Sequence, residues 1–94
     1  MDQPFNVQYV RSETELRRYE LLVVDSDLCA TFIDSAWMQL TLGNREHAQK
    51  ALAYAERALE VMEGFLPRVM NGQQQSEIRS RLGELRKSLD AIHD

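Results

Sequence analysis

The chain predicts an all-α fold, an antiparallel three-helix bundle with a long first helix, and three observations carry that prediction. Apolar residues recur at three- and four-residue spacing in three separate segments, the mark of a helix with one buried face. Only two prolines and four glycines occur, and Gly43, Pro67 and Gly72 stand where the apolar periodicity changes phase. A hydrophobic share of 44% with 28% charged residues is enough for a core and argues against disorder, while 94 residues hold one domain and no more. The expected layout over residues 1–94 is an N-terminal arm over 1–11 and helices over about 13–42, 45–66 and 76–92.

The first helix is expected to open at Ser12, which stands three residues before Glu15 in the spacing of a capping box. Its inward stripe would be Leu16, Tyr19, Val23, Ala30, Ile33, Trp37 and Leu40. The weak point is Asp25-Ser26-Asp27, where helix propensity is poor. Gly43 then supplies a stop and Asn44 an N-cap for the second helix. That helix points Ala48, Leu52, Ala55, Leu59 and Met62 inward, and Ala48, Ala51, Ala55 and Ala58 permit close approach to a neighbour. Pro67 lacks the N–H that a helix interior needs and should end it. Residues 71–76, Asn-Gly-Gln-Gln-Gln-Ser, read as a polar loop, with Ser76 capping the third helix. There Ile78, Leu82, Leu85, Leu89 and Ile92 step by 4, 3, 4 and 3, the narrow seam of a heptad pattern. Glu13 with Arg17, Glu46 with Lys50, and Glu77 with Arg81 are i, i+4 pairs in the favourable order on solvated faces.

The turn between the first two helices resembles a tetratricopeptide hairpin. Ala36 stands seven residues before Gly43, and Ala48, Leu52 and Ala55 stand five, nine and twelve after it, at that family's small and apolar positions. Phe32, Ser35, Gln39 and Glu60 occupy the places of the family's tryptophan, leucine, tyrosine and closing proline, and no second copy follows at an offset of about 34 residues. A lone repeat cannot bury its faces on copies of itself, so the hairpin must be closed otherwise. Over residues 28–92 the chain also resembles the microtubule-interacting and transport domain, which implies a three-helix bundle receiving short helical peptides in an interhelical groove.

Most chemistries find no residues to carry them. His47 sits in the first turn of the second helix and His93 at the C-terminus, while the lone cysteine, Cys29, lies in an apolar stretch and reads as a buried small hydrophobe. No glycine-rich phosphate loop, nucleophile triad or recognised metal-ligand spacing is present. Asp27 and Asp34, with Glu20, share a face of the first helix, which reads as its wet side; Asp25 adds to the local acidity. No catalytic residue, cofactor or metal is therefore expected. A net charge of -4 with interleaved signs disfavours nucleic acid and anionic membrane, which are bound through basic patches. The absence of a signal-peptide pattern, of a membrane-length apolar run and of paired cysteines leads to the expectation of a cytoplasmic protein.

The first helix carries more apolar surface than one neighbour can cover. Leu21, Leu22, Val24, Leu28, Cys29 and Phe32 extend its apolar contacts past the ~100° that a single partner takes. The helix is also longer than the second, which running back antiparallel would fall short of Leu16, Tyr19, Leu22 and Val23. Those four need cover from Phe5, Val7, Tyr9 and Val10, from Phe65, Val69 and Met70, or from another chain. The expectation is a non-catalytic protein-interaction or adaptor module that receives a partner's helix or extended segment along the first helix or the seam beside the third; the alternative is a self-associating structural or regulatory subunit without a peptide ligand, a homodimer with Leu16, Tyr19, Leu22 and Val23 at its interface.

Overall fold

A computed structural model of the chain describes the backbone of residues 7–93 and the side chains of residues 14–93. Among these residues the fold is all-α. Three helices, α1 (Val7–Thr41), α2 (Arg45–Phe65) and α3 (Gly72–His93), pack against one another, and a 3₁₀ turn (Leu66–Arg68) joins the last two. Contacts run backwards between α1 and α2, from Phe32 with Tyr54 to Arg18 with Arg68, so these two are antiparallel. They run forwards between α1 and α3, from Tyr19 with Glu77 to Asp27 with Arg81, so α3 lies parallel to α1.

The hairpin turn follows from one glycine. Gly43 has φ 82°, and the N–H groups of Gly43 and Asn44 donate to the carbonyls of Leu40 (3.1 Å) and Gln39 (2.8 Å). These are the two bonds of a Schellman stop, with glycine where a side chain would be strained. Asn44 occupies the N-cap position of α2 but makes no side-chain cap bond; its Nδ2 donates to Gln39 Oε1 at 2.9 Å instead. The amide is thus used to fasten the turn to the helix behind it.

Two boundaries differ from expectation. α1 begins at Val7, six residues before the expected start, and runs straight through Ser12. Nothing between Val7 and Ser12 breaks a helix, so the Ser12–Glu15 spacing falls in the helix interior. Residues 7–11 of the expected arm are therefore helical, and residues 1–6, with Phe5, lie outside the described residues. Val7, Tyr9 and Val10 continue the same helix and so do not fold back over residues 16–23. α3 begins at Gly72 rather than near 76, because Asn71 supplies the cap. Its Oδ1 accepts the Gln74 N–H at 2.9 Å, its carbonyl accepts the Gln75 N–H at 2.8 Å, and three glutamines, good helix formers, continue the turn. Gln75 Nε2 ties this start to the carbonyl of Leu66 at 3.2 Å. Pro67 falls inside the 3₁₀ turn, one residue beyond the Leu66 cap that ends α2.

The core is one cluster shared by all three helices. α2 buries Ala48, Ala51, Leu52, Ala55, Leu59 and Met62, and α3 buries Ile78, Leu82, Leu85 and Leu89, as their spacing predicts. On α1 the buried residues are Leu22, Ser26, Cys29, Ile33 and Ala36, stepping by 4, 3, 4 and 3. This matches the expected stripe only in part: Ile33 is buried and Tyr19, Val23 and Ala30 pack half-buried against the core, but Leu16, Trp37 and Leu40 are exposed, Trp37 to 47%. The physical reason is size. The alanines of α2 bring the backbones close, and the space left on α1 admits Ser26, Cys29 and Ala36 but no tryptophan. Ser26 tolerates burial because its Oγ donates to its own helix, to the Val23 carbonyl at 2.7 Å. α1 runs unbroken through Asp25-Ser26-Asp27.

A candidate helix-binding groove between α1 and α2

The four residues expected to form one surface are placed in different environments. Leu22 is 4% exposed and belongs to the core, so it is not available to another chain. Tyr19 and Val23 pack half-buried against that core, and Tyr19 Oη donates to Glu77 Oε2 of α3. Leu16 alone of the four is well exposed. The cover comes from within the chain: α2 and the 3₁₀ turn reach back to Arg18, whose Nη1 donates to the Arg68 carbonyl at 3.2 Å, and Val69 joins the core.

A continuous stretch of unmatched apolar surface lies on the side of the α1–α2 pair away from α3. Leu21, Val24 and Leu28 of α1 are 62%, 60% and 52% exposed, and Phe32 follows at the same face. Tyr54, Val61 and Phe65 of α2 stand across from them. Both rows have the spacing of a helix stripe, 21, 28, 32 on α1 and 54, 58, 61, 65 on α2, and they flank two hollows of about 440 and about 310 Å³ that meet at Asp25. The twelve residues from Leu21 to Phe32 cover roughly 16 Å, three turns of helix. Phe32 and Tyr54 stack with centroids 5.5 Å apart toward one end, and Arg68 lies 5.2 Å over the Phe65 ring toward the other. The result is a two-helix groove with apolar walls, of the shape that a further helix fills in a bundle.

Sequence reasoning found the α1 wall of this groove as surplus apolar width but missed the α2 wall. The signal was there: Tyr54, Ala58, Val61 and Phe65 form a second periodic row beside the alanine stripe. The larger, cleaner inward stripe of α2 drew the reading away from it.

The charged residues are divided between the two sides. On the α3 side, Arg86 reaches Glu63 at 2.8 Å, Arg81 reaches Asp27 at 3.3 Å and Glu77 at 3.7 Å, and His93 stands 3.9 Å from Glu56. The hydrogen bond to Glu63 holds the Arg86 guanidinium above its ordinary pKa. The expected pair of Glu77 with Arg81 forms, whereas Glu46 and Lys50 make no ion pair, and Glu13 lies outside the described side chains. At the groove, Arg57 and Asp25 make no ion pair among the described residues.

Among the described residues no three histidine, cysteine or carboxylate side chains come together as a metal site, and no helix is long and apolar enough to cross a membrane. Cys29 is fully buried, its Sγ donating to the Ala55 carbonyl at 3.3 Å, and burial pushes its thiol pKa up, away from the reactive thiolate. No family model matches the chain, and no curated protein or solved structure does either.

Proposed function

We propose that this chain is a non-catalytic protein-interaction module whose α1–α2 groove receives a helix from a partner protein. The observation that carries the reading is the double apolar row, Leu21, Leu28 and Phe32 facing Tyr54, Val61 and Phe65, which lines a groove along three helical turns. Contiguous exposed apolar surface costs free energy in water and marks a contact site in a folded protein. The reading needs no cofactor, and its partner is protein rather than nucleic acid or membrane. The test is a titration with a synthetic amphipathic helix bearing a leucine stripe and uncharged flanks. Saturable binding is expected, and the variant Leu28→Glu/Val61→Glu should lose it while keeping its helical circular dichroism. Binding unaffected by that variant overturns the reading.

A homodimer is the second reading, favoured by the same exposed row on α1. Its interface would use Leu21, Val24 and Leu28 in place of Leu22, Tyr19 and Val23, which the fold itself covers. Sedimentation of the pure chain separates the two, since only the second predicts a dimer without added peptide.

A further inference from the structure

The groove's charge identifies the kind of helix it takes. Four arginines border it, Arg17, Arg18 and Arg57 in its lining and Arg68 over its Phe65 wall, against one carboxylate, Asp25. Among the described residues, Arg18 donates to a peptide carbonyl, Arg68 rests on a ring, and Arg57 makes no ion pair. This is a basic rim on a chain whose net charge is -4. The opposite side of the same helix pair shows how the fold uses such charges. There α2 presents Glu56 and Glu63, α1 presents Asp27, and the helix seated between them answers with His93, Arg86 and Arg81.

Resting on the reading of the chain as an interaction module, we infer that the α1–α2 groove takes an amphipathic helix of a partner protein whose apolar stripe is flanked by acidic residues on the side facing α2. A second copy of this chain is the poorer occupant. A two-fold contact through the groove doubles its charges, placing eight arginines against two aspartates at one interface, and like charges brought together oppose association. The acidic flank instead meets Arg57 along the α2 wall and Arg18 and Arg68 at the end of the groove.

The experiment compares three fluorescein-labelled synthetic helices with leucines at i, i+4, i+7 and i+11, identical except that the flanking positions carry glutamate, glutamine or lysine. Against the full chain, affinity is expected to fall in that order. The glutamate and lysine forms should differ by roughly tenfold at low salt, as two or three screened ion pairs allow. The difference should shrink in about 1 M salt, where the Debye length is only a few ångströms. Arg57→Glu should weaken the glutamate helix and strengthen the lysine helix, with Arg57→Gln intermediate; Arg57 is exposed and outside the core, so both variants fold. Equal affinity for all three helices would leave the interaction module standing and overturn the acidic preference, and so would a preference for lysine. Failure of every helix to bind, together with a dimer that Val61→Glu disperses, would assign the groove to a second copy and overturn both readings.

Discussion

Cys29 shows how tightly α1 and α2 approach. Its side chain is fully buried, as are Ala36, Ala48 and Ala55 of the same seam, and its sulfur donates to the Ala55 carbonyl of α2. Substitution Cys29→Leu therefore inserts volume where nothing can move aside, and it should destabilise the protein by about 1–3 kcal/mol in chemical denaturation. The native thiol should react with a disulfide reagent only as the protein unfolds; rapid labelling of the folded chain would contradict the packing described. Tyr19 gives a residue-scale dependence on pH. Its donated bond to Glu77 requires the neutral phenol, and that bond, followed by desolvation and the nearby Glu77 charge, raises its pKa above the ordinary 10.0. A raised native pKa means that the contact's contribution is complete below pH 10.0 and disappears as pH climbs through the native value. The stability gap between wild type and Tyr19→Phe should accordingly narrow on going from neutral to strongly alkaline pH; a constant gap would show that the hydrogen bond contributes nothing.

At the scale of elements, the ends of the helices are set by individual residues. Gly43→Ala leaves the space around the new Cβ empty but forces a left-handed backbone on alanine, so its cost is conformational, about 1–2 kcal/mol. Asn71→Ala removes the α3 cap and should cost about 1 kcal/mol, whereas Ser76→Ala, inside the helix, should cost far less. Thermal melts of the three variants check that order. These positions also show what the sequence made legible. The three helices, the Gly43 turn and the inward rows of α2 and α3 could be read because each is a regular pattern of large apolar residues or a residue with one conformational use. The start of α3 was hidden because asparagine and glycine serve loops and helix caps alike, and only the partner of the Asn71 side chain decides between them. The inward face of α1 was hidden because burial there selects small residues. Ser26, Cys29 and Ala36 carry little hydrophobic signal, and Trp37, a stronger one, stands outside. Of the candidate groove, the α1 wall was visible as excess apolar width, but which part of that width stays open depends on where α3 lies, and that is a tertiary fact.

For the molecule as a whole, the question is whether α3 stabilises a hairpin that already exists or completes a core that none of the helices has alone. The α1 and α2 seam is built largely from small side chains, and much of the apolar volume of the core comes from Leu59, Met62, Ile78, Leu82, Leu85 and Leu89, four of which belong to α3. A pair of helices joined by alanines buries little area by itself, and a chain of this size buries only about 60–65% of its unfolded surface even when complete. The three helices should therefore unfold as one unit. Leu82→Ala tests this from the far side of the bundle. Being 3% exposed, Leu82 should cost about 2–5 kcal/mol on truncation. That loss should appear equally in the circular dichroism of all three helices and in the fluorescence of Trp37, the chain's one tryptophan, which sits on α1. Coincident midpoints, both shifted, are expected. A mutant in which Trp37 reports the original midpoint while part of the helical signal is lost early would mean that α1 and α2 hold together without α3, and that the hairpin rather than the bundle is the folding unit.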